Sequence, residues 1–447
     1  MGMLFTIASR NLIQAKRRTL FLTAALSIVT VLLVLLMSLS GGLTDTMIRS
    51  ATTLSSGHIN VAGFFKASKA DAAPIVTDVE TLKKFVAENT PGLDYVVDRH
   101  RGWARIVSET SSLQAGLTGI VIDKEPHFAE RMQLAPQKDY VEGGQNVIKG
   151  DLSKLSQPNT AMIFVAQAKK LGVDVGDALT VTIETLAGTR NTTEVTVVAV
   201  AKDVGMMSNW SVFVPKSTIL DIYRLQDDTS GAVMVYLKDI EQAPKVMDHL
   251  REVLAAKGYT LMDHEANPFF MKFEKVAGED WVGQKLDLTV WKDEVSFLTW
   301  VLGAVDSISF ILITILVIII IMGIMNSMYI AVRERTREIG TIRAIGMGRW
   351  SVLVMFMLEA ILLGILATSF GALVGAGIAT AVDHAQLVVP FEAVQAVLMS
   401  DTLHLLIRPR QLIWAIGIFT TITAGSAFWP AYRASRLQPV QAIQSTT

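Results

Sequence analysis

SISFILITILVIIIIMGIMNSMYIAVRERTREIGTIRAIGMGR, running from Ser307 to Arg349, is an uncharged, isoleucine-rich run that breaks abruptly into dense charge. Residues 307–332 hold no charged side chain over 26 positions. At about 1.5 Å of rise per residue, a helix of that length exceeds a hydrocarbon core of roughly 30 Å, so it spans a bilayer with some tilt. The block behind it sets Arg333, Arg335, Arg337, Arg343 and Arg349 against two acids, Glu334 and Glu338. By the positive-inside bias that block is cytoplasmic. Within it Ile339, Ile342, Ala344 and Ile345 recur at near-helical spacing with arginines between them. Residues 333–350 therefore form a short amphipathic handle with one face for a partner; a solvated loop that merely sets topology is the plain alternative.

The chain has 447 residues, is 51% hydrophobic and only 7% aromatic, and carries a net charge of −1. That composition fits a membrane protein and neither a nucleic-acid binder nor a disordered chain. The lack of cysteine excludes disulfides, thiolate metal sites and a cysteine nucleophile. Residues 1–18 pair Leu4, Phe5, Ile7, Leu12 and Ile13 with Arg10, Lys16, Arg17 and Arg18, as a helix lying in the inner interface would. The uncharged run 19–44 exceeds the 7–15 residues of a signal-peptide core and is read as a retained first span. Residues 351–382 are apolar apart from Glu359, and place Ala367, Gly371 and Gly375 four apart, which lets helix backbones approach closely in lipid. A fourth run, 411–432, has Trp414 and Trp429 near its ends as interfacial anchors and Pro430 at the inner end. The tail 433–447 has Arg433 and Arg436 and no acid, which again marks cytoplasm. Four spans at 19–44, 299–332, 351–382 and 411–432, both termini inside, an outer loop at 383–410 and a large outer insertion at 45–298 account for the chain.

In the insertion, alternation predicts strands at 57–61, 104–108, 115–122, 212–214, 233–237 and 259–262, and helices at 79–88, 217–225 and 243–257. Residues 161–171 read as helical, followed by a turn at Gly176-Asp177 and a hairpin of 179–183 with 195–200, closed around 187–191. The pattern is α+β. Residues 284–300, with Leu286, Leu288, Val290, Val295 and Leu298 and no breaker, are expected to form a helical stalk running into the second span. Nucleotide chemistry has no foothold, because the dipeptide Gly-Lys of a phosphate-binding loop occurs nowhere. His264-Glu265 opens like a zinc-protease motif, but position 268 is proline, so two imidazoles cannot share a helix face. Asp306 falls at the outer end of the second span and Glu359 roughly 13 Å from the inner boundary. Pairing with an arginine of the handle suits Glu359 better than a substrate role.

In the order of its parts and in two motifs the chain resembles the permease subunits of the MacB, LolC/LolE and FtsX group of ABC systems, a mechanotransmission type. Arg337-Glu338-Ile339-Gly340-Thr341-Ile342-Arg343-Ala344-Ile345-Gly346, followed by Glu359, is similar to the family's R-x-x-E-I-G-x-x-R-A-x-G pattern, with Arg335 supplying the arginine three positions before the glutamate. Pro430-Ala431-Tyr432-Arg433-Ala434-Ser435-Arg436-Leu437-Gln438-Pro439-Val440 is similar to its P-A-x-R-A-x-x-x-x-P-[IV] tail. The resemblance implies a polytopic α-helical membrane protein with four transmembrane helices and a large extracytoplasmic α+β domain inserted between the first and second. It also implies that Arg337, Glu338, Ile339, Gly340, Ile342, Arg343, Ala344 and Gly346 form a coupling helix docking on a separate cytoplasmic ABC ATPase dimer, with Ile342 as the buried knob. ATP and Mg would be bound there, and no cofactor or enzymatic activity is expected in this chain. A second permease copy, identical or not, is expected because four helices make a poor enclosure. Membrane lipid surrounds the spans in the cell inner membrane, and an adaptor, lipoprotein or hydrolase is the expected periplasmic partner. The implied function is release or export of a lipoprotein or another hydrophobic or peptide substrate. The alternative is an FtsX-like subunit that activates a cell-wall hydrolase and transports nothing. An ion-coupled carrier is disfavoured by too few spans and no midplane charge.

Overall fold

The computed structural model describes residues 2–68, 71–185, 188–204, 206–296, 299–389 and 402–437. Helix α1, Gly2–Gln14, breaks at Ala15 into α2, Lys16–Ser50, which ends in a π-helical turn, Ala51–Ser55. There follow β1 (Ile59–Ser68), β2 (Asp71–Ala73), α3 (Val79–Glu88), β3 (Leu93–Val107), β4 (Ser112–Ile120), α4 (Phe128–Arg131), β5 (Thr160–Phe164) and α5 (Val165–Leu171). Next come β6 (Ala178–Glu184), β7 (Arg190–Ala201), β8 (Ser211–Pro215), α6 (Lys216–Tyr223), β9 (Ala232–Leu237), α7 (Ala243–Lys257), α8 (Phe273–Gly278), β10 (Gly283–Val290) and α9 (Trp291–Glu294). The chain closes with α10 (Thr299–Glu334), α11 (Thr336–Ala344), α12 (Arg349–Ala385) and α13 (Pro409–Ser435). It divides into a helical unit, built from the chain's two ends, and an α/β unit that begins at Thr46 and runs to Trp300.

The α/β unit turns on β3, whose length lets it serve two sheets. Its first half, from Leu93 to Arg99, pairs antiparallel with β9, within an open run β10-β1-β9-β3. Its second half pairs with β4 on one side and, through Arg105 to Val107, with β6 on the other. Because β6 returns to β3, the strands β3, β4, β8, β5, β7 and β6 close a ring, filled by Ile106, Leu117, Ile163, Val181, Val197 and Val214. On the open run, Val79, Leu82 and Val86 of α3 and Val246, Leu250 and Leu254 of α7 recur at helical spacing and bury against Val61, Val235 and Leu288. Helix α7 stops where Gly258 takes φ +100°, a conformation glycine adopts without a Cβ clash.

Four expectations need correction. Residues 283–290 are not a helical stalk but strand β10, antiparallel to β1 from Val290 opposite Ile59 to Gly283 opposite Lys66. Leu286, Leu288 and Val290 repeat every two residues, which is the period of a strand. Leu298 of the supposed stalk lies outside the described residues. Residues 161–171 are not one helix: Thr160–Phe164 is a fully buried strand between β7 and β8, and α5 begins only at Val165. A short apolar run buried on both faces has no period to betray it. Residues 259–262 form no strand beyond one bridge, Leu261 to Leu286. A hairpin is present but with a shifted second strand: Ala178 lies opposite Thr196 and Glu184 opposite Arg190, while Val197, Ala199 and Val200 pair with β5; Ala187 of the expected closing turn lies outside the described residues.

In the helical unit α2, α10, α12 and α13 are each long and apolar enough to cross a membrane. Helix α12 is the centre. A Cβ on Gly371 would lie 2.6 Å from the Ser27 carbonyl oxygen of α2, and one on Gly375 3.1 Å from Val34 Cβ. The Ser27 hydroxyl donates to the Ala367 carbonyl at 2.8 Å, so the small-residue stripe is the face on which α2 and α12 meet. Gly364 admits Thr420 of α13 in the same way. Helix α10 is peripheral: Ile320, Ile324, Met328 and Ala331 are buried, while its other isoleucines are largely exposed. At the opposite end from α11, Ser40 donates to Asp306 at 3.0 Å and His404 Nδ1 lies 2.7 Å from Asp383. The loop expected at 383–410 begins inside α12, and residues 390–401 lie outside the described ones.

Candidate functional site

The handle is ordered into α11 by a break at Arg335 and a stop at Gly346. Arg335 leaves helical geometry at φ −106°, ψ 13°, which separates α11 from α10. Gly346 takes φ +110°, while its N–H donates to the Arg343 carbonyl and that of Met347 to the Ile342 carbonyl, both at 3.1 Å. A left-handed glycine with this pair of bonds satisfies the last carbonyls of a helix.

Between these limits α11 has two faces. Ile339, 2% exposed, and Gly340 point into the bundle, where Ile339 shares a core with Met328, Phe356 and Ala431. Arg337, Glu338, Thr341, Ala344 and Ile345 are exposed and recur three or four residues apart on the opposite face. Ile342 and Arg343 lie half-buried on the flank. The apolar side chain presented most fully outward is Ile345, 82% exposed, with Trp350 at the start of α12 exposed nearby in sequence; Ile342, the expected knob, is half-buried beside it.

Arg335 fastens the handle to the bundle. Its Nε donates to Glu338 at 3.0 Å, its Nη1 lies 3.5 Å from Glu359, and its guanidinium sits 6.0 Å from the Phe356 ring. Glu359 is 3% exposed on α12 and the Arg335 side chain 20% exposed, so a buried acid faces a base that still reaches the surface. The acid borders a small cleft with Leu12, Thr19, Ile324, Met328 and Thr423. Glu359 thus lies beside an arginine of the handle. Arg343 donates to the Leu437 carbonyl, which ties α11 to the end of α13. There Pro430 is buried between Ala427 and Ala431, Arg433 is exposed, and the Arg436 guanidinium stands 4.7 Å from the Tyr432 ring. Gln438, Pro439 and Val440 of the tail motif lie outside the described residues.

Sequence reasoning named Arg335 and Ile345 within the motif but gave neither a role of its own. Both carried a signal: Arg335 stands three before Glu338, and Ile345 falls in the helical register of Glu338 and Thr341.

Comparison with known proteins covers both units. A family model described as MacB-like periplasmic core domain matches residues 19–253, and one described as FtsX-like permease C-terminal matches residues 310–439. The Macrolide export ATP-binding/permease protein MacB of Bartonella quintana (strain Toulouse) is 26% identical over 239 residues, 54% of this chain and 30% of that protein. The protein of the same name from Syntrophobacter fumaroxidans (strain DSM 10017 / MPOB) is 35% identical over 122 residues, 27% of this chain and 15% of that protein. The matched stretches therefore span less than a third of these relatives' length. The solved periplasmic region of MacB from Actinobacillus actinomycetemcomitans aligns over 43% of this chain and 84% of that one, at 13% identity and a TM-score of 0.27. With the MacB-like match covering more than half of the chain and the FtsX-like match taking in α11 and α12, the chain belongs to the MacB/FtsX family of ABC transporter permeases.

Proposed function

We propose that this permease couples ATP hydrolysis by a separate cytoplasmic ATPase dimer to movement of its α/β unit, so as to release or export a lipoprotein or another hydrophobic or peptide substrate at the cell envelope. The observation that carries the proposal is the two-faced α11. One face offers Arg337, Glu338, Thr341 and Ile345 to a partner, while Ile339 and Arg335 lock the other into the bundle. A docking element that is both amphipathic and anchored can pass a push from its partner to the helices behind it. The positive-inside bias of the arginines of α11 and of the tail supports a cytoplasmic position for this face and both termini, with the α/β unit in the periplasm. ATP and Mg belong to the partner, and a second permease copy completes the membrane enclosure.

Affinity purification of the tagged full chain from its own cells tests this. A Walker-type ATPase should accompany it, and the chain alone should turn over no nucleotide. Turnover by the chain alone would overturn the proposal. A cell-wall hydrolase recovered in place of a lipoprotein or adaptor would move the outer unit's role to hydrolase activation.

A further inference from the structure

Two stretches of chain connect the α/β unit to the membrane helices: the turn Ala51–Ser55 that ends α2, and α9, which precedes α10. Carbonyls at a helix end lack partners within the helix. Here the sheet supplies them. The Tyr236 hydroxyl donates to the Thr52 carbonyl at 2.7 Å, Arg99 Nη1 to that of Thr53 at 2.6 Å, and Arg101 Nη2 to that of Ser55 at 2.6 Å. Arg99 is itself fixed by Glu125, which takes its Nε and Nη2 at 2.6 and 2.9 Å. Arg101 Nη2 also donates to Asn60 Oδ1 at 2.7 Å, and the Asn60 amide reaches Glu294 of α9 at 3.4 Å. Glu294 accepts in addition from the Thr289 hydroxyl at 2.7 Å. Arg99, Glu125, Asn60, Tyr236 and Glu294 are all buried.

We infer that this network is a yoke: beyond the β1–β10 ladder, which already joins Ile59 to Val290, Arg101 and Asn60 tie the turn that ends α2 to α9, so that displacing either carries the sheet and the other with it. Arg101 is half-buried, and its charge-assisted bond to the buried Asn60 tolerates little displacement, because a moved partner leaves a buried acceptor unpaired. A bare turn would hinge instead. Arg101 acts through the Ser55 carbonyl and Asn60 that it binds, so it is a positioning residue. The use of the yoke rests on the coupling proposed above; its geometry does not.

Hydrogen exchange on the full chain in lipid nanodiscs tests it. Arg101→Met should raise amide exchange at 51–56 and at 291–294 together, by at least tenfold, and leave α7 unchanged; Arg101→Lys should restore part of the protection. In the complex with the copurified ATPase, trapping with ATP and vanadate should alter exchange in α11 and in β9. In Arg101→Met the α11 change should persist and the β9 change should vanish. Exchange that rises at one stretch only, at neither, or everywhere including α7 overturns the yoke, whatever the ATPase does. A wild type without any nucleotide response in α11 refutes the coupling, while the exchange at the two stretches still decides the yoke. Should Arg101→Met fail to accumulate, Asn60→Leu, which removes the link to Glu294 without removing a charge, carries the same expectation.

Discussion

His100 is wholly buried on β3, its Nε2–H donating to the Thr229 carbonyl at 2.9 Å. Burial, followed by the charge of Lys216, lowers its pKa from 6.5 to about 4, so the folded unit holds it neutral. Between those values the unfolded chain binds more protons than the folded one. The stability this group supports is therefore complete above pH 6.5 and falls as the pH drops towards 4, by about 3 kcal/mol. His58, lowered to about 4 by burial and then Arg131, acts in the same direction. Next to His100, burial raises the Asp98 carboxyl, but hydrogen bonds from Lys216 at 2.6 Å and Lys83 at 2.8 Å outweigh it and hold the pKa at about 2. Asp98 therefore contributes fully above its unfolded value of 3.8 and loses its contribution only as the pH falls from there towards 2. The urea midpoint of the α/β unit in the full chain should fall less, or rise more, from pH 7 to pH 4.5 in His100→Gln than in the wild type. An unchanged slope would assign the dependence to other groups.

The contact between α2 and α12 rests on backbone proximity, which makes it sensitive to a single methyl group. Gly371→Ala would put its Cβ 2.6 Å from the Ser27 carbonyl and 2.8 Å from Thr30 Cβ, and should cost about 1–3 kcal/mol. Gly377, on the same helix with open space around it, should accept alanine with a change below about 0.5 kcal/mol. Thermal midpoints of the two variants in nanodiscs check this, and equal midpoints would mean that the helices do not meet on the Gly371 face. The stripe was legible because small residues at a spacing of four record the constraint locally. Helices α3 and α7 were legible for the same reason, each with its apolar period written within one element. Strand β10 carried its own period of two in Leu286, Leu288 and Val290, but the unbroken run onward to Trp300 masked where that period ends. At the site, the helix and its charge could be read from residues 333–350. Its outward face could not, since that depends on which side the bundle buries, and Ile339 settles it.

Across the whole molecule, the zoning of charge along the chain separated four apolar helices from an α+β insertion, because lipid and water impose opposite compositions. The ring of six strands escaped, as the return of β6 to β3 leaves no mark on either strand. On the proposed coupling, the outward face of α11 is an ATPase dock with an apolar centre. Its most direct test is the affinity of the nanodisc-embedded chain for the purified ATPase, measured for wild type, Ile345→Asp and Arg337→Ala. A carboxylate at position 345 would be buried without a partner, at a cost of about 1–3 kcal/mol, so Ile345→Asp should weaken binding about tenfold while the thermal midpoint of the chain stays put. Unchanged binding by Ile345→Asp, with Arg337→Ala alone abolishing it, would show a charge patch in place of a docked helix and contradict the account.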